Sequence, residues 1–177
     1  MSSNVRFWRY SLPSIAHEGW AIIVIGSDGF FAAVSDYGNY AYLWTHPGLQ
    51  SGQDMRSFFL KLNWQYFMTK LYGSPDKYNP TATLKEVKLA IIEGRRHSGW
   101  SPHKARREWD ALESNSYLES EYDFESWVGH ASMDEAYEFR VNGWPADAQA
   151  FGEKILPRLQ QAIREELAQE TSKVDNP

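Results

Sequence analysis

A chain of 177 residues without a single cysteine excludes a disulfide framework, a thiol nucleophile and thiolate metal sites. Its length suits one domain whose core needs no covalent staple, and a net charge of −5 weighs against a general affinity for phosphate backbones. The charge is uneven: residues 54–116 carry 11 basic and 7 acidic side chains and residues 117–177 carry 5 and 13, which reads either as two parts attracting each other or as a basic and an acidic docking face.

The N-terminal stretch Met1–Leu12 lacks the apolar core of a secretory signal, and the longest apolar run, Trp20–Ile25, is too short to span a bilayer. The expectation is a cytoplasmic protein. Val5, Phe7, Trp8 and Tyr10 form a first strand that Pro13 ends. Trp20–Ile25 is β-branched and continuous, the pattern of a strand buried on both faces. Asp28-Gly29 is a hairpin turn into a third strand, Phe30–Val34, and Asp36–Asn39 is a second turn. Tyr40, Tyr42 and Trp44 follow at period two and share one face of a fourth strand.

From residue 54 the period becomes helical. Asp54 caps a predicted helix running to Tyr72, with Met55, Phe58, Phe59, Leu62 and Tyr66 as its apolar stripe. Thr83 and Glu86 form a capping box for a second helix carrying Leu84, Val87, Ile91 and Ile92. Ser101-Pro102 opens a third, with Ala105, Trp109 and Leu112 inward. Short elements follow around Phe124–Trp127 and Ala136–Phe139. A last helix over 145–168 is kinked near Leu156 by Pro157. Residues 170–177 read as a disordered tail. The fold class is therefore α+β: residues 1–169 form one domain, a small antiparallel sheet of three to four strands from 5–45 packed against a C-terminal helical region.

The segment Ser35–Trp44, SDYGNYAYLW, is the most distinctive in the chain. With the helix that reads FFLKL through YFMTKLYG, ending at Gly73, it resembles a family of small proteins from tailed phages and prophages. The resemblance implies a phage or prophage origin, hence a bacterial host cell, and brings no catalytic residue.

Three sets of residues carry the functional expectations. Tyr37, Tyr40, Tyr42 and Trp44 either pack beneath the helices or stay exposed as a hot-spot patch for a protein partner. Glu119, Glu121, Asp123 and Glu125 alternate with other residues, so that on a strand they share one face; they form an acidic docking face or, as an alternative, a carboxylate site of a metal-dependent hydrolase. Arg95, Arg96, Lys104, Arg106 and Arg107 lie in a helix-turn-helix-like region, 83–115, the alternative being DNA binding. Glu93 and His97 read as a surface pair, with His103 nearby, and no HExxH spacing occurs. No catalytic residue, metal site or cofactor is assigned. The leading expectation is a non-enzymatic phage accessory protein that binds a host or phage protein or ribonucleoprotein, an anti-CRISPR-type inhibitor of host defence being one form.

Overall fold

The computed structural model describes residues 4–50 and 53–174. It is α+β, with a four-stranded antiparallel sheet followed by helices. Backbone contacts divide the chain into two compact units: Met1–Ser74 with Pro145–Pro177, and Pro75–Trp144.

In the first unit, strands β1 (Phe7–Leu12), β2 (Ala21–Gly26), β3 (Phe30–Ser35) and β4 (Gly38–Leu43) form a meander in the order β1-β2-β3-β4. Gly29 makes the β2–β3 turn at φ 93, a conformation reserved for glycine. The register lines up inner-face rows across the sheet: Trp8, Ile25, Phe31 and Tyr42 in one, Tyr10, Ile23, Ala33 and Tyr40 in the next. The run Ala21–Gly26 is not buried on both faces. It alternates, with Ile23 buried and Ile22 40% exposed, because among the described residues of this unit the helices pack on one side of the sheet.

The predicted helix over 54–72 is two helices, α1 (Met55–Phe59) and α2 (Trp64–Leu71). Asp54 caps the first as expected, its carboxylate accepting from the Arg56 N–H at 2.8 Å. Asn63 starts the second by accepting from the Tyr66 N–H at 2.8 Å. The break persists because the Gln160 side chain donates to the freed carbonyls of Phe59 and Leu62 at 3.0 and 2.9 Å. Phe59 and Phe67 then meet Phe31 and Trp44 at ring separations between 5.3 and 6.1 Å, the range of favourable aromatic contact.

The second unit opens and closes on a two-residue ladder, β5 (Lys77–Tyr78) with β6 (Asn142–Gly143). Helix α3 (Pro80–Arg96) starts three residues before the expected capping box: Asn79 accepts from the Ala82 N–H at 3.0 Å and Pro80 occupies the first turn. Thr83 is buried instead, its hydroxyl accepting from the Val141 N–H at 3.0 Å. Helix α4 (Pro102–Ser114) starts at Ser101-Pro102 as read. A 3-10 turn at Ser116–Leu118 holds φ at 50, 51 and 60 and leads into α5 (Glu121–His130). A second 3-10 turn spans Ala136–Phe139. Val87, Ile91, Leu112, Leu118, Phe124 and Trp127 make the core of this unit.

The chain ends in the first unit with α6 (Ala146–Ala150), a π-helical turn Phe151–Ile155, and α7 (Leu156–Val174). Pro157 has no N–H to offer Glu153, and the i→i+5 turn absorbs the mismatch just ahead of it. Helix α7 continues past the predicted end at 168, so residues 170–174 are helical rather than a disordered tail. The remainder of that tail, 175–177, lies outside the described residues.

Candidate functional site

The aromatic segment packs inward. Tyr37 and Trp44 are 8% and 4% exposed. Tyr40 stands 4.4 Å from Phe151, and Tyr42 meets Trp44 at 4.7 Å. Tyr37 and Trp44 occupy core positions and present almost no surface to a partner, whereas Tyr40 and Tyr42 are half-buried.

Beside that core the structure holds a charged cluster that the sequence reading missed. Arg56 is 1% exposed and lies 4.8 Å from the Trp8 ring. It pairs with Asp54 at 2.6 Å, Glu166 at 3.0 Å and Glu170 at 2.6 Å, the last bond one of a bidentate pair. The Tyr10 hydroxyl donates to Glu166 at 2.5 Å. Burial, reinforced by Glu166, pushes the Tyr10 phenol well above its ordinary value. Burial alone would raise the Asp54 carboxyl, but the Arg56 guanidinium overrides it and holds the group below the usual carboxylate range. The Arg56 hydrogen bonds lower Glu170 likewise. This cluster ties β1 and α1 to α7; each of its three carboxylates bonds the Arg56 guanidinium, which marks it as a structural joint.

The acidic segment is not a strand, so its four carboxylates do not form one face. Ser120 caps α5 and Asp123 closes the capping box back to the Ser120 N–H. Glu121 pairs with Arg140 at 2.5 Å. Glu119 and Glu125 remain exposed on either side of Tyr122, which is 77% exposed. Among the described residues no three His, Asp or Glu side chains converge as metal ligands.

The basic residues gather at the corner of α3 and α4. Between these helices runs a groove of about 430 Å³ with Ile91, Ile92, Ala105 and Trp109 among its lining, and with Arg95, Arg96 and Arg106 around it. Arg106 pairs with Asp110 at 2.9 Å, Arg107 donates to Ser132 at 2.6 Å, and Lys104 sits 4.3 Å over Trp100. Arg95 and Arg96 have no ionic partner among the described residues. Glu93 and His97 form the expected exposed pair at 3.6 Å. Glu108 was missed as a buried group; its carboxylate accepts from the Ser132 N–H at 3.2 Å and from the Ser132 hydroxyl.

The largest feature absent from the sequence reading is the outer face of the sheet. Phe7, Ile22, Val34 and Leu43 are 58%, 40%, 49% and 49% exposed there. Val24, Phe30, Ala32 and Ala41 lie between them on the same side. The register sets Ile22 opposite Val34 and Phe30 opposite Leu43, and the Phe7 and Phe30 rings meet edge to face at 6.3 Å. Among the strand residues of this face the sole charge is Arg9. A contiguous apolar sheet face open to solvent is uncommon on a monomeric protein. The signal in the sequence was the unbroken apolar run 20–25, which is equally what a strand buried on both faces would show.

Among the described residues no helix is long and apolar enough to cross a membrane. No curated protein and no solved structure matches the chain. Residues 3–165 match the model of Phage_phiTE_072, a phage family, and the chain belongs to that family.

Proposed function

We propose that this phage protein is an accessory factor that works by binding, and that its working surface is the open face of the four-stranded sheet. The partner is a host or phage protein, and occlusion of a host defence complex is one form such binding takes. The observation that carries this reading is the uncovered apolar patch around Ile22, Val34 and Leu43. Covering each of these half-exposed side chains contributes on the order of 1 kcal/mol, and a flat patch with a single charge offers little to a nucleic acid backbone.

The test is affinity capture from lysate of phage-infected host cells with wild type and with Ile22→Glu/Val34→Lys. The two positions face each other across the sheet, so the new cross-strand ion pair supports the fold while replacing the apolar patch. The expected outcome is loss of the captured partner with an unchanged circular dichroism spectrum. Unchanged capture by the folded variant contradicts the reading.

Nucleic-acid binding at the α3–α4 corner is the second reading, favoured by the unpaired Arg95 and Arg96. It predicts a salt-sensitive gel shift with duplex DNA that is lost in Arg95→Glu/Arg96→Glu.

A further inference from the structure

Pro75–Trp144 carries two surfaces of opposite character. One is the α3–α4 groove, with an apolar floor of Ile91, Ile92, Ala105 and Trp109 beside the exposed Arg95 and Arg96. The other is the start of α5, where the Tyr122 ring stands 77% exposed. Glu125 lies one turn along α5 from Tyr122, and Glu119 stands just ahead of the Ser120 cap, three residues before Tyr122. Neither carboxylate has an ionic partner among the described residues, whereas the adjacent Glu121 and Asp123 are taken up by Arg140 and by the α5 cap. The charges are segregated in the sequence as well: residues 77–107 hold eight basic side chains against two acidic, and residues 108–138 hold ten acidic side chains and no basic one.

We propose that the α3–α4 groove of one molecule receives the Tyr122 face of α5 from a second copy of this chain. The pieces match in kind. An aromatic ring flanked by two free carboxylates meets an apolar trough flanked by two free guanidiniums. Tyrosine and arginine are the residue types that dominate interface energetics. A nucleic acid is the poorer occupant, since its phosphates would leave the floor of Ile91, Ile92 and Trp109 uncovered and would be repelled by the ten carboxylates of residues 108–138.

The surface differs from the sheet face, so the experiment uses the Ile22→Glu/Val34→Lys protein, in which association through the sheet is removed. Solution mass is measured by light scattering from about 0.01 M to about 1 M salt, across which the Debye length shrinks from roughly 30 Å to roughly 3 Å. The expected result is self-association at low salt that dissolves at high salt and weakens about tenfold or more with Arg95→Glu/Arg96→Glu, with Glu119→Lys/Glu125→Lys, or with Tyr122→Ala. An equimolar mixture of the two charge-reversed proteins re-associates, because each reversed groove then meets a reversed α5. A monomer at every salt concentration, a mass indifferent to these variants, or a mixture that fails to re-associate overturns the proposal. Should a reversed protein fail to fold, the Tyr122→Ala comparison and the salt dependence decide alone. A duplex-DNA gel shift lost in Arg95→Glu/Arg96→Glu, without self-association, assigns the groove to phosphate and overturns it too. None of these outcomes bears on the sheet face, whose own test is the capture experiment.

Discussion

At Arg56 three carboxylates converge on a guanidinium that is 1% exposed. Replacing it with methionine leaves Asp54, Glu166 and Glu170 facing one another with the exposed Arg6, 3.3 Å from Glu170, as the remaining cation. The expected destabilisation is about 3 kcal/mol, at the lower end for a broken buried pair because the carboxylates themselves are partly wet; a urea denaturation series measures it. The same cluster sets two pH limits. The folded carboxyls of Asp54 and Glu170 lie below their ordinary values of 3.8 and 4.5, so the unfolded chain takes up protons first as pH falls. Their contribution is complete above those values and is lost as pH drops through the folded ones. The folded Tyr10 phenol lies above its ordinary 10.0. Its contribution is complete below that value and is lost as pH rises beyond it, through the raised folded value. Thermal melts should therefore weaken at both ends, and Tyr10→Phe should flatten the alkaline limb only.

The elements show how far local sequence reaches. The strands were legible because turn chemistry fixes them: Asp28-Gly29 ends β2 and opens β3 wherever the strands later pack. At Gly29, φ is 93 and an added Cβ would lie 2.1 Å from the Trp44 carbonyl oxygen. Gly29→Ala should cost about 3 kcal/mol or more, since backbone cannot yield as a side chain can. Gly94→Ala in α3 should cost less, about 1–3 kcal/mol, because it presses at 2.6 Å on the ring of Trp100, which can turn aside. Parallel urea titrations give both values and their order. The break between α1 and α2 was illegible because its support, Gln160, stands about a hundred residues away in α7. The acidic segment misled because Glu119, Glu121, Asp123 and Glu125 have the period of a strand, while the Ser120 and Asp123 cap, three residues apart, commits the chain to a helix.

At the scale of the molecule, function rests on what is left uncovered. The inner face of the sheet was only partly legible: Trp8 and Tyr10 are buried at period two in β1, but the unbroken run Trp20–Ile25 hid that Ile23 and Ile25 point into the core while Ile22 does not. The outer face was not legible, because no local pattern states whether a second layer lies above Ile22 and Val34. The aromatic segment 37–44 illustrates the converse: abundant tyrosine and tryptophan suit an interface and a core equally, and here Tyr37 and Trp44 are buried. Membership of the phage family places the chain biologically, and the exposed sheet then supplies the surface through which we propose it acts. The most direct measurement is photo-crosslinking in phage-infected cells from a photoreactive amino acid placed at position 34. The account predicts a discrete adduct with a second protein that disappears when Leu43→Lys is added. Adducts only with water or nucleic acid, or an adduct indifferent to Leu43→Lys, would contradict it.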